Sequence, residues 1–245
     1  MCGRYTVTRP GDILDEVWEA LADTVLAPLA RPAQETLAPR YNLAPTQAAP
    51  VVVRGNGHAE LALARWGVRS RSGAAKPLIN ARLETAAELS SFAEAFVRRR
   101  CLVPADGFYE WSRGSGQPHW FSIPRRAGFC LAGLWEPGHW AAAEAPRAGH
   151  QISELERAFC VLTTRARPPV EELHERMPLI LPPSFYGLWL GQGQLASHDL
   201  DELTKAADEL ALERRPVSRR VNRVDADEPS LVERGALEPE NLSLF

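Results

Sequence analysis

A cysteine stands second in the chain, in the string MCGRYT, and that position gives it chemistry no internal cysteine has. Removal of Met1 would leave Cys2 carrying a free α-amine beside its thiol. Such a 1,2-aminothiol condenses with an aldehyde to an imine, and the thiol then closes a five-membered thiazolidine ring. The amine can equally act as a local base for the thiol in acyl transfer, as in hydrolases with an N-terminal nucleophile. The plain alternative is a terminus that happens to contain a cysteine, so the other residues have to decide.

Three further strings hold residue types suited to chemistry. NARLET at 80–85 packs Asn80, Arg82 and Glu84 into one short stretch ahead of an expected helix. The amide can hold a carbonyl or amine and the guanidinium a phosphate; helix capping by Asn80 or Thr85 is the alternative. PADGFYEW at 104–111 sets Glu110 between Tyr109 and Trp111 on an expected strand. Aromatic neighbours that desolvate a carboxyl raise its pKa and suit it to proton transfer, whereas simple alternation would point it to water. LHERMP at 173–178 brings His174 and Arg176 to the end of a short segment, and histidine is the side chain best suited to move protons near neutral pH. A fourth string, YNLAPTQ at 41–47, reads as a turn around Pro45.

The elements that must carry these residues are mostly short strands. Apolar runs PVVVR (50–54), LALARWGV (61–68), RCLVPA (100–105), FYEW (108–111), HWFSI (119–123), FCLAGLW (129–135) and FCVLTT (159–164) are separated by turn signals. RPVSRRVN reads as one more. Ile13, Leu14, Val17, Trp18 and Leu21 recur at helical spacing within 11–23, and further helices are expected over 84–99, 169–175, 183–190 and 200–212. The expected fold is α+β: a mostly antiparallel, barrel-like β-sheet with peripheral helices in a single domain over 1–245. Residues 137–157 read as a flexible insertion and 225–245 as an extended tail.

Composition narrows the function classes. The chain has 245 residues, 45% hydrophobic and 24% charged, as expected of a globular protein with a substantial core. No apolar run reaches membrane-spanning length, and charged residues interrupt the N-terminus, so no membrane partner is expected and the location is read as cytoplasmic. The four cysteines form no C-x-x-C pair; Cys101, Cys130 and Cys160 sit in apolar runs as core residues. The histidines show no metal-ligand spacing. A net charge of −3 argues against a generic polyanion binder.

Taken together and in order, MCGRYT, YNLAPTQ, RWG (65–67), NARLET, RRCLVPADGFYEW, AGLWE (132–136), LTT and HERMP resemble the SOS response-associated peptidase (SRAP) family. The resemblance runs from residue 1 to about 190, with a weaker echo in PVSRRVN. It implies covalent capture of abasic sites in single-stranded DNA by Cys2 after loss of Met1, with self-processing peptidase activity and location on the nucleoid when bound; AP-lyase activity can coexist with capture, and the sequence does not rank the two. By motif match, Asn80, Glu110 and His174 complete the active site, and Thr163 is a further hydrogen-bonding partner. Arg4, Arg82 and Arg176 become candidates for phosphate contacts, and Trp111 and Phe108 for base stacking or core packing. No metal or other cofactor is implied, and a monomer is the default. One departure is that VRSRSGAAKPLI at 68–79 is shorter than the usual family segment and lacks its aromatic; another is Ala166-Arg167 where Ala-Asn is usual. Two other classes stay open: an N-terminal-nucleophile amidohydrolase or amidotransferase, and a non-covalent DNA reader.

Overall fold

The computed structural model describes residues 2–27, 37–69, 76–138 and 157–235. Thirteen strands and five α-helices occur in the order β1 (Tyr5–Val7), α1 (Pro10–Leu21), β2 (Arg40–Leu43), β3 (Ala48–Arg54), β4 (Ala59–Trp66), β5 (Asn80–Arg82), α2 (Leu83–Ala86), α3 (Ala93–Arg98), β6 (Arg100–Ala105), β7 (Gly107–Trp111), β8 (Pro118–Ser122), β9 (Phe129–Pro137), β10 (Arg157–Arg165), β11 (Arg176–Pro178), β12 (Ile180–Leu181), α4 (Tyr186–Leu190), α5 (Ser197–Asp208) and β13 (Glu213–Pro216). No helix among the described residues is long and apolar enough to cross a membrane.

Strands β3, β4, β10, β9 and β6 close a ring, because β10 pairs with β9 as well as with β4. Only the pairings of β10 with β4 and β5 are parallel, so the barrel is mostly antiparallel, as the sequence predicts. A second sheet, ordered β13-β8-β7-β1-β2, packs beside it. One apolar cluster joins the barrel interior to this sheet through Val51, Val53, Trp66, Cys101, Val103, Tyr5 and Phe108. The other covers the barrel's outer face, where Val52, Leu102, Cys160 and Leu162 meet α1, α3, α4 and α5. Both faces of β6 are therefore buried, so RCLVPA is a continuous apolar run rather than an alternating one.

Helix α1 follows its periodicity: Pro10 opens it, and Ile13, Leu14, Val17, Trp18 and Leu21 are its buried stripe. Four local expectations differ. The helix expected over 84–99 is two short helices, α2 and α3, divided around Ser90-Ser91. Residues 169–175 form successive turns rather than a helix, with His174 N–H bonded to Val170 O at 3.0 Å. RPVSRRVN leaves the sheet after Pro216: the Ser218 hydroxyl accepts the Arg220 N–H and turns the chain into a 3-10 helix at Arg219–Asn222. Lastly, residues 225–235 are not an extended tail. Leu231 is fully buried, and the Asp227 carboxylate accepts the Tyr41 and Asn42 N–H groups on the edge of β2. The expected insertion lies largely, and residues 236–245 wholly, outside the described residues.

Candidate functional site

The chain start enters the fold as an edge-to-edge extension of β1. Tyr5 pairs with Phe108 and Thr6 with Gly107 in an antiparallel ladder, which the Tyr109 N–H continues onto Arg4 O at 3.0 Å. The ladder runs Cys2 toward Glu110. Cys2 is fully buried in the barrel-side cluster, and its thiol reaches Arg4 O at 3.8 Å. Burial, and secondarily the Glu110 charge, raise its pKa far above that of an ordinary thiol.

Asn80 arrives from the barrel. It opens β5, which lies parallel to β10 with Asn80 opposite Val161. The arm leading to it is held by RWG: the Trp66 indole N–H donates to Ile79 O at 2.9 Å. The same ring meets Tyr5 edge-on at 5.1 Å and stacks on Phe159 at 6.2 Å. Trp66 thus ties the residue before Asn80 to the strand that follows Cys2. The Asn80 side-chain amide donates to Cys2 O at 2.8 Å. Gly67 has a φ of +125°, and a Cβ there would lie 2.9 Å from Pro77, so this arm requires glycine.

Glu110 is buried at 3% exposure. Burial pushes its carboxyl up to about 7, against the pull of the chain's terminal ammonium and the Trp111 backbone N–H. Tyr109 and Trp111, the neighbours expected to desolvate it, do not do so. Alternation along β7 sends Tyr109 and Trp111 to the opposite face, into a separate cluster with Trp120 and Leu231. Glu110 instead shares the face of Phe108, whose ring stacks on Phe121 at 5.2 Å. Phe108 is fully buried and offers no surface to a base. Trp111 is anchored by its indole N–H to Asn222 Oδ1 at 2.7 Å and does not join Cys2, Asn80 and Glu110.

The third approach comes from β10 and β11, where Thr163 pairs with Pro178 and Arg165 with Arg176. Thr163 is buried, and its hydroxyl donates to Ala81 O at 3.3 Å, one residue beyond Asn80. The Arg176 N–H donates to His174 Nδ1 at 2.9 Å, which leaves the ring proton on Nε2; the other tautomer would donate to Arg176 O at 3.0 Å. Burial and the chain-terminal positive charge lower the His174 pKa, so the imidazole is neutral at neutral pH. The Arg176 guanidinium grips both oxygens of Glu84 at 2.8 and 2.7 Å and donates to Thr163 O. A phosphate contact at Arg176 therefore competes with Glu84. Arg82 is exposed and Arg4 partly buried, and neither forms a salt bridge among the described residues. Among the described residues no cluster of three or more His, Cys, Asp or Glu is placed to hold a metal.

Three structural residues carried no role in the sequence reading. Asp106 binds β1, Glu84 binds Arg176, and the Asn42 amide donates to the carbonyls of Val221, Arg223 and Ala226. Their partners are roughly 90 to 185 residues away, so no local pattern could mark them.

Asn80 and Glu110 thus reach Cys2 from two separate segments, one through a hydrogen bond and one through its charge, and His174 feels the chain-terminal charge from a third. The chain belongs to the SOS response associated peptidase (SRAP) family, whose model matches residues 1–224. It is 29% identical over 243 residues to the abasic site processing protein YoqW of Bacillus subtilis, covering 95% of this chain and 99% of that one. It is 27% identical over 198 residues to the abasic site processing protein YedK of Escherichia coli, covering 79% and 84%. Among solved structures, a protein from Bacteroides thetaiotaomicron shares the fold at a TM-score of 0.68 and 19% identity, covering 96% of this chain and 100% of that one. A phage-related protein from Bordetella bronchiseptica gives 0.63 at 26% identity, covering 89% and 95%.

Proposed function

We propose that this protein processes abasic sites in DNA, capturing the open-chain sugar aldehyde in single-stranded DNA as a thiazolidine on Cys2 after self-removal of Met1. The observation that carries the reading is the hydrogen bond from Asn80 Nδ2 to Cys2 O at 2.8 Å, which holds residue 2 beside a buried carboxyl whose pKa is about 7. A group with that pKa is present in both protonation states at neutral pH and can serve as acid and base in turn.

Neutral His174 takes the proton of the anomeric hydroxyl and returns it to the ring oxygen as the bond from C1 to that oxygen breaks, which opens the sugar to the aldehyde. The Cys2 amine, whose reference pKa is roughly 7.7–8.0, adds to the aldehyde carbon to give a carbinolamine. Protonated Glu110 supplies the proton with which hydroxide leaves as water, forming the imine in its N-protonated state. The resulting carboxylate accepts the S–H proton as sulfur bonds to the protonated imine carbon, which leaves the ring nitrogen as a neutral N–H and Glu110 protonated again. A thiol kept protonated by burial needs such a base, and the Glu110 charge already acts on it. Ring closure removes the imine that would otherwise permit β-elimination and strand scission, the lyase side route. Arg4 and Arg82 hold the flanking phosphates, and the protein acts as a monomer without a cofactor.

The test is intact-mass spectrometry of the purified chain before and after incubation with an oligonucleotide carrying one abasic site. Loss of Met1, and an adduct equal to the oligonucleotide mass less one water mapped to Cys2, are expected. Cys2→Ala should give none. An adduct of equal yield on the Cys2→Ala chain would overturn the reading.

A further inference from the structure

Strand β1 is three residues long, and its register with β2 shifts between Tyr5 and Val7. Two backbone ladders of that length fix a strand weakly. What fixes it here is one carboxylate at the β6–β7 junction. Asp106, 6% exposed, accepts the Thr6 hydroxyl on Oδ1 at 2.5 Å. Its Oδ2 accepts the Thr8 N–H at 2.7 Å and the Thr8 hydroxyl at 2.5 Å. The Asp106 N–H returns a bond to Thr6 O at 3.0 Å. The Thr6 oxygen also accepts the Trp120 indole N–H at 3.2 Å. Trp120 in turn lies so close over Gly107 that a Cβ there would fall 2.2 Å from the ring.

This clamp sits at one end of the β1–β7 ladder and Cys2 at the other. Thr6 follows Cys2 by four residues, and Asp106 precedes Glu110 by four, in antiparallel strands. A slip of one residue would move the chain start by about 3.3 Å and reverse which face each β1 side chain meets. We propose that Asp106 is a positioning residue that acts through Thr6 and Thr8, holding β1 in the register that seats Cys2 beside Asn80 and Glu110. Its consequence for capture rests on the reading of Cys2 as the reacting residue; the placement itself can be tested without DNA.

The experiment compares the wild type with Asp106→Asn and with the isosteric double variant Thr6→Val/Thr8→Val. The rescue control is Thr6→Ser/Thr8→Ser, which keeps both hydroxyls. Each chain is treated with iodoacetamide, and alkylation of every cysteine is followed by peptide mass spectrometry. Cys101, Cys130 and Cys160 are fully buried and report global opening. Cys2 alkylation is expected to rise about tenfold or more in the first two variants, with the other three cysteines unchanged and the serine variant near wild type. Single-turnover capture should fall by about the same factor while affinity for intact single-stranded DNA holds, since only the terminus is displaced. An unchanged Cys2 rate, or a parallel rise at all four cysteines, would overturn the proposal. Selective loosening of Cys2 in a chain whose wild type forms no abasic adduct would uphold the clamp and refute the capture chemistry instead.

Discussion

Glu110→Gln should make the protein more stable and inactive at once. The carboxyl is 3% exposed and its pKa moves from the ordinary 4.5 to about 7 in the fold. That difference corresponds to about 3 kcal/mol between its two protonation states. The sign follows from proton binding. Between pH 4.5 and 7 the folded chain holds a proton that the unfolded chain has released, so raising the pH favours unfolding over that interval. The stability contributed by protonated Glu110 is complete below pH 4.5, declines through pH 7 and is gone above it. Glutamine keeps the shape and never ionises, so it avoids the loss. In urea titrations from pH 4.5 to 8.5, the variant's advantage should grow by up to about 3 kcal/mol and level off above pH 7. For a chain of this size that is a rise of roughly 6–12 °C in Tm. Abasic-site capture should fall by about 10²–10⁴-fold, the range for loss of a general acid–base group. A stability difference independent of pH would show that Glu110 is not held protonated by burial, and the proton-transfer role would fall with it.

The other predictions concern the surroundings of the site. Glu84→Gln frees the Arg176 fork and, because Glu84 is about half exposed, should change stability by about 1 kcal/mol or less. Affinity for single-stranded DNA should increase, with a salt slope steeper by about 0.7 for one added phosphate contact, measured by fluorescence anisotropy over a salt series; an unchanged slope would mean that Arg176 does not meet phosphate. Gly107→Ala places a methyl 2.2 Å from the Trp120 ring and should cost about 1–3 kcal/mol in chemical denaturation, through overpacking rather than helix or turn propensity. A neutral result there would show that Trp120 is free to move from Thr6.

Helix α1 was legible because its apolar stripe repeats over twelve residues, and the barrel because its strands are long apolar runs between turns. Strands β1, β5, β11 and β12 were not, since two or three residues carry no period and are strands only because a neighbour pairs with them. The same division runs through the site. Residue type made Cys2, Asn80, Glu110 and His174 candidates with capping, alternation and ordinary surface roles still open, and the family resemblance joined them into one expected site. Their environments were set by tertiary structure. Which face of β7 turned inward decided that Glu110 is desolvated by the Phe108 side and that Trp111 lies away from Cys2. Glu84, 92 residues from Arg176 in the chain, decided that this arginine is already gripped. Asp106, with Thr6 at a separation of 100, decided where the chain begins in space. A sequence states what each side chain can do; burial and long-range pairing, which depend on how the whole chain closes, determine which of those capacities a residue has in the fold.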